Sequence, residues 1–229
     1  MYYGTMTPEE YRGLYGEVVT ADCYKLRSLD FIPDLVFDIG ANVGVFTRYA
    51  RELWPEARIV CVEPSIRNFE RLKNYTNPRE CVFLNQAIGS GRIQRSPEPA
   101  NGAQEAFLCE GLGYPSGSLA DYEATDVDSV TLSSVMCMSH WASNNKVVVK
   151  IDCEGGENSI ISHKPSNDML RCADYITGEY HHFAAHDGVL EQVKTETAEW
   201  LDGFGDTHDV VVEHPNFYMR KRDGNQKPE

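Results

Sequence analysis

At 229 residues the chain is long enough for one large domain rather than two small ones, with a full core that removes roughly 70% of the unfolded surface from water. A formal net charge of −14 excludes partners that demand a basic footprint, so neither nucleic acid nor an anionic membrane surface is expected, and a small neutral or cationic ligand fits better. The opening MYYGTMTPEEYRG has no basic start or apolar run, no stretch reaches membrane-span length, and the seven cysteines are odd in number and never in C-x-x-C, which predicts reduced thiols in a cytoplasmic protein.

Residues 1–30 are polar with scattered Tyr11, Leu14, Tyr15 and Val18, and predict an N-terminal helical arm, either a packing arm or a lid. The main domain is expected over 31–222, with a frayed polar tail at 223–229. Its opening stretch, LVFDIGANVGVF at 35–46, reads strand, glycine turn, helix. Val45, Phe46, Tyr49, Ala50 and Leu53 recur as on one helix face, which Pro55 stops. Any βαβ crossover can carry such a turn. Asp38, Gly40 and Gly44 give D-x-G-x-x-x-G, however, with Asn42 where a dinucleotide site would have its second glycine. That suits a nucleoside ligand with no phosphate to cradle, such as S-adenosylmethionine (SAM).

The next strand, ARIVCVEP at 57–64, ends in Glu63, whose carboxylate can accept hydrogen bonds from both hydroxyls of a ribose. Ile66, Phe69, Leu72 and Tyr75 then recur at helical spacing behind a Ser65 cap. CVFLNQAIG at 81–89 is read as a third strand, with Asn85 and Gln86 either reading an adenine edge or acting as satisfied turn residues. Residues 90–125 have no sustained period, and 92–120 are expected to form a lid over the ligand end of the sheet. DVDSVTLSSVM at 126–136 restores a strand and a helix start.

KVVVKIDCEGGE at 146–157 delivers Asp152, Glu154 and Glu157 at the carboxyl end of a strand, where open α/β sheets bind ligands. Lys150 shares a strand face with Asp152 and needs a carboxylate partner, because an unpaired buried charge is costly. A fifth strand in ADYITGEYHH ends in Glu179, Tyr180, His181 and His182, with Glu179 and His181 on one face. His182 and His186 are four apart, but the intervening residues read as a loop rather than a metal-binding helix. A helix from Asp187 to Gly203 and the pair DVVVEHP and FYMRKR close the sheet.

FDIGANVGVF, VCVEP, NQAIG, TLSSV and KIDCEGGE, in this order and at these separations, resemble the FkbM family of SAM-dependent methyltransferases, over roughly residues 34–182. KIDCEGGE is the specific part, similar to the family's K-I-D-x-E-G-x-E, and YPSGSL at 114–119 resembles the family's Ser/Gly loop. The first 30 residues have no counterpart in that pattern, and Gly156 stands where alanine is usual. The resemblance implies a Rossmann-like class I methyltransferase fold, a seven-stranded, mostly parallel sheet with helices on both faces. It also implies transfer of the SAM methyl to a hydroxyl oxygen of a sugar or other small polar metabolite. Asp38, Gly40, Asn42, Gly44, Glu63, Asn85 and Gln86 are then the cofactor residues, and Asp152, Glu154, Glu179 and His181 the acceptor-side catalytic residues. A divalent cation on Asp152, Glu179 and His181 would relieve the repulsion of neighbouring strand-end carboxylates; Lys150 between them is the metal-free alternative. The rival readings are an NAD-dependent oxidoreductase and a catalytically silent SAM-fold binding subunit.

Overall fold

In the computed structural model the described residues are 8–76, 81–89, 93–95, 107–109, 125–139, 144–154, 156–181 and 187–222. Most of the expected lid, including 114–119, lies outside them, as do Gly155, His182, His186 and the tail.

The first strands of the chain are β1 (Leu35–Ile39), β2 (Arg58–Val62) and β3 (Cys81–Leu84). Four short strands follow: β4 (Ala87–Ile88), β5 (Ile93–Arg95), β6 (Phe107–Cys109) and β7 (Thr125–Val127). Then come β8 (Ser129–Val130), β9 (Val147–Ile151), β10 (Tyr175–Glu179), β11 (His208–Glu213) and β12 (Asn216–Lys221). The helices are α1 (Pro8–Tyr15), α2 (Val45–Leu53), α3 (Ile66–Tyr75), α4 (Leu132–Met138), α5 (Glu157–Ile161), α6 (Lys164–Leu170) and α7 (Asp187–Asp202).

The main sheet has seven strands in the order β11-β12-β10-β9-β1-β2-β3, parallel except for β12, which runs antiparallel to both β10 and β11. This is the class I methyltransferase architecture. Chain order reverses between β1 and β9, and such switch points place a ligand crevice at the strands' carboxyl ends. Both faces of β1 are covered, which is why four of its five residues are apolar without alternation and all five, Asp38 included, are buried. Leu35, Phe37 and Ile39 enter one core layer with Leu132, Met136, Ile160, Leu170 and Leu201 from α4 to α7. Val36 enters the other, with Phe46, Tyr49 and Ala50 of α2 and Leu72 of α3.

The N-terminal arm belongs to that second layer. It runs through α1, a π-turn at Gly16–Thr20 and a 3-10 turn at Leu26–Ser28, and buries Val18, Tyr24 and Leu26 against α2.

Residues 81–89 do not form one strand. The Asn85 amide donates to the backbone oxygens of Glu63 and Pro64 at 2.8 and 3.1 Å and turns the chain away, so β4 leaves the main sheet to pair with β8. On α3 the Ser65 cap is present, accepting from the Asn68 N–H, and Leu72 is buried, but Ile66 is 48% exposed. The short α5–α6 pair between Glu157 and Ala173 had no expected counterpart; it fills the crossover from β9 to β10.

Candidate active site

The turn after β1 holds left-handed backbone at Gly40 (φ +77), Asn42 (φ +50) and Gly44 (φ +88). Asparagine tolerates this conformation better than other side-chain residues, which accounts for Asn42 between two glycines. At Gly40 the constraint is also steric: a Cβ would lie 1.8 Å from the backbone oxygen of Asp152. Glu63, at the end of β2, is 5% exposed and accepts the Asn42 N–H at 2.7 Å and the Ser65 N–H at 2.8 Å. The second strand's acid thus shapes the glycine turn. Asn85 clamps the turn that carries Glu63, and Gln86 is half-buried beside it.

Asp38 is fully buried and is not a wall of the crevice. Its Oδ2 accepts the Thr47 hydroxyl at 2.6 Å and its Oδ1 lies 3.2 Å from the Lys150 ammonium. Lys150, 3% exposed, also donates to the Gly40 oxygen at 2.6 Å and stands 3.6 Å from Asp152. Burial disfavours its charge, but Asp38 and then Asp152 outweigh burial and raise its pKa, so it stays an ammonium. The lysine therefore joins Asp38 to Asp152, not Asp152 to Glu179.

What stands between Asp152 and Glu179 is His181. Its Nε2 lies 3.7 Å from Asp152, 3.6 Å from Glu154 and 3.7 Å from Glu179, while its Nδ1 faces Glu157 at 3.3 Å. Burial pulls the imidazole pKa down, but the hydrogen bond to Glu157, followed by the charges of Glu157, Asp152 and Glu154, pushes it up to about 9. Burial also raises Glu154, with the neighbouring acids adding to it against His181, to about 7. Glu154 has φ +49, unusual for a residue with a side chain. Burial, then Asp152, raises Glu179 as well.

The donor atoms of Asp152, Glu154 and His181 lie within 4.8 Å of one another. This triplet differs from the expected metal set by Glu154 in place of Glu179. A divalent ion there would need His181 neutral, against the four carboxylates that favour its protonated form.

Sequence reasoning left the arm as either packing or lid and did not single out Glu17 or Tyr24. Leu14, Glu17, Val18 and Tyr24 line the crevice together with Asn42, Phe46 and the acid cluster. The Tyr24 hydroxyl donates to Asp152 Oδ2 at 2.6 Å across 128 residues of chain, and no local pattern signals a contact of that separation.

A family described as the methyltransferase FkbM domain matches residues 38–211. The chain belongs to the FkbM methyltransferase family. Its relatives include the 2-O-methyltransferase NoeI of Sinorhizobium fredii, 26% identical over 167 residues, covering 69% of this chain and 68% of NoeI. They also include the 31-O-demethyl-FK506 methyltransferase FkbM of Streptomyces tacrolimicus, 26% identical over 209 residues, covering 79% and 77%. Among solved structures, the methyltransferase FkbM from Methylobacillus flagellatus KT superposes with a TM-score of 0.51 at 15% identity, covering 93% of this chain and 50% of that one. This FkbM-family chain thus spans half the length of that neighbour. The fold and family make it a SAM-dependent methyltransferase. Among its described residues no helix is long and apolar enough to cross a membrane.

Proposed function

We propose that this chain transfers the SAM methyl group to a hydroxyl oxygen of a neutral, polar small molecule, such as a sugar, with Glu154 as the general base. The observation that carries this reading is Glu154 itself. It is a carboxylate raised to about 7, at the carboxyl end of β9 beside the switch point, on strained backbone. The acceptor oxygen attacks the methyl carbon, the carbon–sulfur bond breaks to release S-adenosylhomocysteine, and the acceptor's proton passes to Glu154. Since the sulfonium is already a good leaving group, alignment of oxygen, carbon and sulfur is the protein's main task. Two relatives whose printed names specify an oxygen acceptor support the choice of atom.

On the cofactor side, Gly40, Asn42 and Gly44 give the backbone close approach. Glu63, whose carboxylate accepts the Asn42 and Ser65 N–H groups, stands at the end of β2 to meet the ribose hydroxyls. Asn85 and Gln86 lie near the same turn. Asp38 acts at one remove, by holding Lys150. His181 as an imidazolium supplies the positive charge that keeps Asp152, Glu154 and Glu179 together.

The test is a panel of neutral glycosides with labelled SAM, scored for methyl incorporation and S-adenosylhomocysteine. Glu154→Gln should lose turnover while binding S-adenosylhomocysteine normally. A fully active Glu154→Gln would overturn the assignment. Exhaustive chelation should leave activity intact; loss restored by Mg²⁺ would install a cation on Asp152, Glu154 and His181 instead.

A further inference from the structure

We propose that the N-terminal arm is part of the catalytic apparatus, with Tyr24 as the positioning residue that fixes which oxygen of Asp152 faces the acceptor. The inference rests on the acceptor-site reading above and extends it to a segment that precedes the family match at residue 38.

The geometry of the arm is over-determined at this one point. Asp22 and Lys25 have φ of +52 and +55, so Cys23 and Tyr24 sit between two left-handed residues that have side chains. Such backbone persists only where its surroundings enforce it. The Asp22 carboxylate supplies that enforcement, accepting from the Leu26 N–H at 3.0 Å, the Arg27 N–H at 3.1 Å and the Tyr49 hydroxyl at 3.1 Å. Two sheet tyrosines then pin the backbone: Tyr218 donates to the Cys23 oxygen at 2.8 Å and Tyr175 to the Tyr24 oxygen at 3.0 Å. The Tyr24 ring is held edge-on against Phe46, centroids 5.3 Å apart. All of this fixes a single hydroxyl.

That hydroxyl is an obligate donor. Tyr24 is 4% exposed, and burial followed by the neighbouring Asp152 charge raises its pKa well above the usual tyrosine value. The phenol oxygen and the Lys150 nitrogen both face Asp152 Oδ2, at 2.6 and 3.6 Å, while Oδ1 is turned toward His181. Without the phenol, the carboxylate can rotate about its last side-chain torsion, and Asp152 no longer presents one fixed oxygen beside Glu154. Simple packing would need the ring but not the hydroxyl.

The experiment uses the full chain with Tyr24→Phe and with 3-fluorotyrosine at position 24, assayed on the neutral glycoside that the wild type methylates. Tyr24→Phe should lower kcat at least tenfold, with S-adenosylhomocysteine affinity within about twofold and Tm nearly unchanged. The fluorotyrosine, a stronger donor, should give a kcat distinct from both. Independently of turnover, the wild type should show an exchange-protected downfield proton resonance that is absent in Tyr24→Phe and displaced in Asp152→Asn. Wild-type kcat in Tyr24→Phe, or no such resonance, overturns the proposal. So does a loss of kcat matched by equal losses of cofactor affinity and Tm. An active Glu154→Gln would instead remove the underlying reading of the site, which separates the two failures.

Discussion

Glu154 is needed deprotonated and His181 protonated, and together they set a pH window. Turnover needs the Glu154 carboxylate, so it should rise as pH passes about 7, and it needs the imidazolium, so it should fall as pH passes about 9. A bell-shaped kcat/KM profile with these limbs is expected, since kcat/KM reports the groups of the free enzyme, and His181→Asn should remove the alkaline limb. The stability signs differ for the two groups. His181 has a folded pKa above its usual 6.5, so its contribution is complete below that value and is lost as pH rises through about 9. Glu154 is an acid raised above its usual 4.5, so its cost is absent below that value and grows until about 7. Glu154→Gln, which mimics the protonated form, should therefore stabilise the fold by about 1–3 kcal/mol at pH 8 and by nothing at pH 4. Thermal melts at the two pH values check this, and equal shifts at both would contradict it. Function is here expected to cost stability.

At the scale of elements, β1 and β9 are tied through charge as well as backbone. Parallel register sets Asp38 opposite Lys150, and the ion pair lies between two strands that are buried on both faces. Asp38→Asn leaves an ammonium that is 3% exposed with its nearest carboxylate gone. The cost should be about 3 kcal/mol, at the low end for a broken buried pair because the Gly40 oxygen and Asp152 remain as partners. Urea denaturation should show a lower midpoint with an unchanged slope, and no shift would mean that the pair is not formed. Thr47→Val, which removes only the hydroxyl donated to Asp38, should cost less, about 1 kcal/mol.

The whole molecule carries a net charge of −14, and its crevice gathers Glu17, Asp152, Glu154 and Glu179 against His181 and the internally paired Lys150. A phosphorylated acceptor should thus show kcat/KM lower by about tenfold or more than its neutral parent at low salt, with the gap closing as salt is added. A salt-independent gap would mean shape, not charge, excludes it. Much of this layout was readable from the chain. Val147–Ile151 and Leu35–Ile39 declare themselves as buried strands, and the glycine turn and the acids after β9 follow from their place at strand ends. What was not readable depends on distance. Tyr24 reaches Asp152 across 128 residues, and the break at Asn85 depends on carbonyls belonging to a different strand's turn. Likewise, His181 rather than Lys150 separates Asp152 from Glu179 because Asp38 has already claimed the lysine. The close approach at Gly40 also has a thermodynamic meaning. Gly40 puts no side chain between the cofactor turn and the carbonyl of Asp152. A cofactor held by that turn and an acceptor beside Asp152 would be joined through this one backbone contact, and whatever factor the first gains for the second, the second must return.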